Sequence, residues 1–148
     1  MLIKRLTSSP TTHAIELAAQ FAEQRQRVLA TNLANIDTPN HQTQRLDPEA
    51  FQASLKEALD RARSTGGPST DRLDLRGNAQ FSTNPGGQVT VRPATEPAEN
   101  VLFHDGTNVR LEGLMADITQ NSMSYELATN LLRGRFNSLL TAIKGRVT

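Results

Sequence analysis

Residues 111–143 read LEGLMADITQNSMSYELATNLLRGRFNSLLTAI. Leu111, Ile118, Tyr125, Leu132 and Leu139 recur in this stretch at seven-residue spacing. Met115, Phe136 and Ile143 lie on the neighbouring row, with Ser122 and Thr129 as its polar members, and Leu114, Ala128 and Ala142 flank the other side. An apolar period of about 3.5 residues held over several heptads is the signal of a long helix that lays a seam against another helix. Asn108 is placed to cap its start and Gly145 to end it.

The opposite end of the chain has the same character. From Pro10 to Ile36 the pattern is helical, with Ser9 as N-cap and Pro10 at the first helical position. Ile15, Ala22, Leu29 and Ile36 repeat every seventh residue, with Ala19, Gln26 and Leu33 as the neighbouring row. Leu17, Phe21 and Val28 add a second apolar stripe, so this helix is sticky on more than one face. At 1.5 Å per residue the two helices are expected to run roughly 40 and 50 Å.

Between them the texture changes. Asp47-Pro48 opens a short amphipathic helix carrying Phe51, Leu55, Leu59 and Ala62. Ser64-Thr65-Gly66-Gly67-Pro68-Ser69 then breaks it, and residues 64–110 hold six of the nine Gly and four of the seven Pro. Short β-like runs sit at Arg72–Leu75, Gln88–Arg92 and Asn100–His104, and Asn84-Pro85-Gly86-Gly87 is a turn signal. The expected fold is mainly α. Its long N- and C-terminal helices pack as a coiled coil, with a short middle helix and an irregular loop holding at most a small β-hairpin. The divisions are 1–46, 47–110 and 111–148, forming one structural domain in an assembly. Residues 64–100 are expected to be an outer excursion, or a linker to neighbouring structures of an assembly, that tolerates change better than either end. A monomer whose middle helix folds onto the terminal pair is the competing arrangement.

Composition narrows the function. The 148 residues are 36% hydrophobic and 4% aromatic, which disfavours an all-β sandwich or a large enzyme core. Sixteen Lys+Arg against 15 Asp+Glu give a net charge of +1 with no basic block, so nucleic acid is not an expected partner. No run of about 20 apolar residues is present to span a membrane. Met1-Leu2-Ile3-Lys4-Arg5-Leu6 does not read as a cleaved signal peptide. Cys is absent, excluding disulfides and thiolate chemistry. Arg outnumbers Lys thirteen to three, which suits either surface helices or bidentate Arg–carboxylate contacts between subunits.

Catalytic chemistry finds little support. His13, His41 and His104 lack metal-ligand spacing and read as exposed or capping residues. Asp71 with Asp74, or Asp47 with Glu49, fit turns and caps better than an acid/base pair. No catalytic residue, metal or cofactor is expected. A hydrolase using Asp71, Asp74 or His104 is a weak alternative.

The most distinctive segment is Leu29-Ala30-Thr31-Asn32-Leu33-Ala34-Asn35-Ile36-Asp37-Thr38-Pro39-Asn40. Asn32 and Asn35 share one helix face beside alanines that permit close backbone approach. Pro39 disfavours helix at Thr38, and Asn40 is comfortable at positive φ. The segment closely resembles the ANNxANxxTPGY-like signature of the flagellar basal-body rod and hook protein family. Ala30, Asn32, Ala34, Asn35, Thr38 and Pro39 match it. Asn40 stands where the family has Gly, and His41 where it has Tyr. Asp105-Gly106-Thr107-Asn108-Val109-Arg110-Leu111-Glu112 is similar to the DGNNVDLE string of the family's proximal-rod members. The C-terminal helix with its short tail resembles theirs as well.

The resemblance implies a structural subunit of the proximal rod, exported without a cleaved signal into a rod in the periplasm. It implies assembly by coiled-coil stacking of terminal helices, transmitting torque around the export channel. The implied partners are other copies of the chain, FlgC-like and FlgF-like rod proteins, a FliE-like adaptor and the flagellar export gate. Asn32, Ala34, Asn35, Thr38, Pro39, Asp105, Gly106 and Asn108 carry the signature, and polar contacts between helices or subunits are expected of the Asn32/Asn35 face. Ile15, Ala22, Leu29, Ile36, Leu111, Ile118, Tyr125, Leu132 and Leu139 are the expected seam. A soluble helical adaptor or secretion chaperone of the export system is the alternative.

Overall fold

The computed structural model describes residues 9–64, 73–84, 86–95 and 111–145. Helix α1 spans Pro10–Ala34, strand β1 Gln44–Arg45 and helix α2 Pro48–Ser64. Strands β2 Phe81–Thr83, β3 Val89–Val91 and β4 Ala94–Thr95 follow, and helix α3 spans Leu111–Lys144. Two long terminal helices and a shorter middle one are therefore present as expected. The expected Asn100–His104 run and the Asn108 cap lie outside the described residues.

Helix starts follow local chemistry. Ser9 adopts an extended conformation and its Oγ accepts the Thr12 N–H at 3.1 Å. Asp47 caps α2 by accepting the Glu49 and Ala50 N–H groups on Oδ1, with Pro48 supplying a residue that needs no hydrogen bond in the first turn. Helix α1 stops two residues earlier than the periodicity predicts, at Ala34, because Asn35 caps it and Ile36 enters a turn. Gly145, with φ of 63°, closes α3.

The middle of the chain corrects the sequence reading most. Leu73, Leu75, Phe81 and Val89 are buried in one core with Leu17, Phe21, Val28, Leu46 and Phe51. Residues 73–95 are therefore no outer excursion. They cover the second apolar stripe of α1, which the terminal helix pair alone leaves open. Three of the five Phe meet there: Phe21 stacks on Phe51 with centroids 4.1 Å apart, and Phe81 sets its ring nearly perpendicular to both. Ala58 is buried beside them, and Leu55, Leu59 and Ala62 are packed against the cluster by the amphipathic face of α2.

The β-structure also exceeds a single hairpin. β2 and β3 form an antiparallel hairpin across the expected turn, but its first strand is Phe81–Thr83, not the expected Arg72–Leu75 run; Phe81 stands opposite Val91 and Thr83 opposite Val89. Their turn is organised by Asn84, whose Oδ1 accepts the Gln88 N–H, and by Gly87 at φ 81°. β1 and β4 make a second antiparallel pair, Gln44 opposite Thr95 and Arg45 opposite Ala94. The described part of the Arg72–Leu75 run is not a strand. Leu73 and Leu75 still alternate inward, but the Leu73 N–H donates to His13 Nδ1 at 2.8 Å instead of to a neighbouring strand. Gln20 Oε1 likewise accepts the Val89 N–H at 2.9 Å and fixes the hairpin to α1. Gly77 is required by close packing, because a Cβ there would sit 2.7 Å from the Phe81 carbonyl oxygen.

Helix α3 covers the remaining face of α1. Leu114, Asn121 and Ala128 are buried along it, and most of the rest of the helix is open to solvent. Among the described residues, no helix is long and apolar enough to cross a membrane.

Phe81→Ala is expected to destabilise the isolated chain by about 3–5 kcal/mol, the usual cost of truncating a core aromatic ring. Chemical denaturation followed by circular dichroism measures it. Replacing residues 77–83 with Gly and Ser is expected to abolish the cooperative transition, where an outer excursion would leave it unchanged.

Candidate functional site

The signature segment builds a compact turn at the C-terminal end of α1. Asn32 is buried, and its side-chain amide faces the Gln44 main chain much as a second strand would. Nδ2 donates to the Gln44 carbonyl oxygen at 2.7 Å, and Oδ1 accepts the Gln44 N–H at 3.0 Å. Asn32 thus fastens β1 to α1 within one chain. Asn35 works locally. Its Nδ2 donates to the Thr31 carbonyl at 2.8 Å, and its own carbonyl accepts the Thr38 N–H at 3.0 Å. Thr38 then accepts the His41 N–H on its carbonyl, and Asn40 holds φ at 61°.

The two asparagines therefore have different roles. Within the chain Asn32 bonds a strand and Asn35 a turn, and neither bonds another helix, which is one of the two kinds of contact expected of this face. Ala34, Thr38 and Pro39 form the exposed outer side of the same turn. Asp105, Gly106 and Asn108 lie outside the described residues.

The helix pair carries a polar layer that the seam pattern does not announce. Arg25 is buried on α1, and its guanidinium donates to Asp117 Oδ1 at 2.7 Å. One turn further along α3, Asn121 is only 2% exposed. Its Nδ2 donates to the Ala22 carbonyl at 2.9 Å and to Gln26 Oε1 at 2.8 Å. A polar residue at one buried seam position penalises slipped pairings, because any shift would leave the amide unsatisfied. Asn121 was detectable: it stands one heptad from both Leu114 and Ala128. Arg25 has no comparable signal, since a charged residue between apolar stripes reads as surface.

The expected seam divides accordingly. Ala22 and Leu29 are buried against α3, and Ile15, Ile118, Leu132 and Leu139 are half-buried. Ile36 is half-buried in the turn beyond α1. Leu111 and Tyr125 are exposed, so the row that meets α1 most closely is Leu114–Asn121–Ala128, not the row of larger side chains. The physical reason is proximity: short residues at the centre of the contact let the helices approach, and the larger ones lie at its margin. Met115, Met123, Leu127, Leu131, Phe136, Leu140 and Ile143 remain exposed on α3.

The candidate catalytic groups are not brought together. Asp47 caps α2, and the Asp74 carboxylate is open to solvent 3.9 Å from Arg61. His13 is occupied as an acceptor for Leu73, and Asp71 and His104 lie outside the described residues. Among the described residues, no group of three or more His, Asp or Glu is placed to hold a metal ion.

Two substitutions separate the polar roles. Asn32→Leu strands the N–H and C=O of Gln44 and is expected to cost about 1–3 kcal/mol, with loss of hydrogen-exchange protection at Gln44. Asn121→Leu leaves Gln26 Oε1 without its donor in the helix contact and is expected to lower the melting temperature while leaving hydrogen-exchange protection at Gln44 unchanged. An unchanged melting temperature would show that the amide contributes no net stability.

No protein-family model matches the chain. Curated relatives match along nearly its whole length. The flagellar basal body rod protein FlgB of Borrelia hermsii is 30% identical over 137 residues, covering 88% of this chain and 96% of the relative. FlgB of Bacillus subtilis (strain 168) is 29% identical over 138 residues, covering 93% and 95%. FlgB of Escherichia coli (strain K12) is 28% identical over 131 residues, covering 86% and 88%. With the signature turn, the paired terminal helices and end-to-end similarity to relatives of one kind, the chain belongs to the family of the flagellar basal body rod protein FlgB.

Proposed function

We propose that this structural subunit of the flagellar basal-body rod builds the proximal rod by stacking its terminal helices against those of neighbouring subunits. The observation that carries this reading is the surface of α3. Met115, Met123, Leu127, Leu131, Phe136, Leu140 and Ile143 are all exposed along a helix of 34 residues. An isolated helix pair has no use for that much open apolar surface, and exposure on this scale marks a protein contact. In this reading the chain works as one structural domain. Its core of α1, α2 and the hairpin stays closed, and α3 supplies the assembly surface.

The role is mechanical. Interlocked helices resist relative rotation and transmit torque, and a tube of them leaves a central path for export. The site lies in the periplasm, reached through the flagellar export apparatus. The neighbours are further copies of the chain, FlgC-like and FlgF-like rod proteins, a FliE-like adaptor and the export gate. The exposed outer side of the signature turn, at Ala34, Thr38 and Pro39, is available to such neighbours. The inner side is already engaged with β1. No catalytic step belongs to this role, and nothing found among the relatives favours a soluble adaptor.

Phe136→Asp tests the reading in the cell. Phe136 is exposed, so the isolated chain is expected to keep its circular dichroism spectrum and melting temperature. A buried intersubunit position would instead desolvate the charge. Cells carrying the variant are expected to be non-motile, with basal bodies lacking a completed rod. Normal motility would overturn α3 as the assembly surface. Imaging of wild-type basal bodies is expected to place the chain in the proximal rod.

A further inference from the structure

We infer that residues 73–76 are a strap laid across α1 and α2, and that its fastening to α1 opens in mild acid because the acceptor that holds it is the imidazole of His13. The inference is independent of the rod-subunit reading. Leu73 and Leu75 are buried in the core with Leu17, Phe21 and Phe51, while Asp74 and Arg76 face water. The strap is not a strand, so side chains of the two helices take over part of its backbone hydrogen bonding. From α1, His13 Nδ1 accepts the Leu73 N–H at 2.8 Å. From α2, Arg61 Nη2 donates to the Asp74 carbonyl oxygen at 3.0 Å, and Glu57 Oε1 accepts from Arg76 Nη1 at 3.1 Å.

The two fastenings differ in kind. On the α2 side the donors are guanidinium groups, which keep their charge throughout the range a protein meets. The imidazole of His13 accepts on Nδ1 only while that nitrogen keeps its lone pair, and this requires the neutral ring with its proton on Nε2. A second proton enters at Nδ1. It turns the acceptor into a donor, sets N–H against N–H and strands the backbone donor of a buried residue. The bond therefore favours the neutral ring. Its contribution is present above the ordinary histidine value of roughly 6.5 and is lost as the pH falls below it.

The charged groups on the surrounding elements are Glu16 one turn along α1, Asp74 and Arg76 on the strap, and Glu57 and Arg61 on α2. Asp71 and Arg72 precede the strap and lie outside the described residues. A neighbouring carboxylate changes the pH at which the second proton arrives, but it restores no lone pair to Nδ1. With the pin released, the strap keeps only its α2 side, where the Arg61–Asp74 and Arg76–Glu57 pairs are more exposed and screened by salt. Leu73 and Leu75 are then less firmly held over the second apolar stripe of α1. The core is sealed at neutral pH and loosened at one edge in acid.

Amide hydrogen exchange on the isotope-labelled full chain tests this at about pH 7.5 and about pH 5.5, roughly one unit either side of the ordinary histidine value. Protection of the Leu73 N–H, corrected for the intrinsic exchange rate, is expected to fall about tenfold at the lower pH. The Val89 N–H is the internal reference, because Gln20 Oε1 accepts it at 2.9 Å and does not titrate. Its protection is expected to stay within about twofold. Unchanged protection at Leu73 would overturn the inference, and so would an equal loss at Val89, which would show the whole core opening. His13→Asn places a carbonyl oxygen where Nδ1 stands, keeping an acceptor and removing the titration. Leu73 protection in that variant is expected to be the same at both pH values; the wild-type fall in the variant would assign the acid response to another group. The imidazole nitrogen shifts of the wild-type chain give a readout that needs no substitution. They are expected to show the Nε2–H tautomer at the higher pH and a titration that the loss at Leu73 follows. An Nδ1–H tautomer, or a loss at Leu73 where His13 does not titrate, would remove the pin.

Discussion

The stacking of Phe21 on Phe51, with Phe81 edge-on to both, is the contact on which the rest of the structure depends. It joins α1, α2 and the hairpin through one residue from each. Only 4% of the chain is aromatic, yet three of its five Phe are concentrated at this point. Burying each such ring is worth roughly 1.5–3 kcal/mol. That is comparable with the entropy of ordering one or two residues. Hydrogen bonds that His13 and Gln20 accept from the backbone, and that Asn32 donates to it, then determine where the returning chain lies. The collapse supplies stability, and the hydrogen bonds supply its geometry.

Helix α1 consequently has two neighbours of different kinds. One side meets an apolar core with aromatic packing. The other meets α3 through Ala22, Leu29 and a layer containing Arg25, Gln26, Asp117 and Asn121. Breaking the first exposes large rings, whereas the second mixes small apolar contacts with polar ones that water can replace. This asymmetry places the stable part of the subunit around α1 and α2 and the adaptable part on α3. In the proposed role that division suits a rod subunit, whose body would keep a fixed shape under load while α3 meets its neighbours.

The signature segment acquires a physical meaning in the same way. Asn32 imitates the edge of a strand for Gln44, Asn35 ends the helix, and Asn40 accepts the positive φ that the turn demands. Each residue type is required by the local backbone. The demands of a turn that orients the chain after α1 are thus enough to account for these residue types.

The sequence alone determined the helices, because caps and apolar periods are local properties: Ser9 and Asp47 act within three residues, and heptads need only the helix itself to be read. It also determined the β2–β3 turn, through Asn84 and Gly87, and the positive φ of Asn40. The family was legible in the same segment. What local pattern could not determine was which stripe of α1 met which partner. Leu17, Phe21 and Val28 looked unsatisfied because most of their partners, Leu73, Leu75 and Phe81, lie 45 to 64 residues away in a Gly- and Pro-rich stretch with no sustained period. The buried role of Arg25 and the outward position of Tyr125 were hidden for a related reason: a heptad fixes which residues share a face, not the angle at which that face meets its neighbour. Only the tertiary structure decided that angle, because it depends on how closely Ala22, Asn121 and Ala128 let the two helices approach.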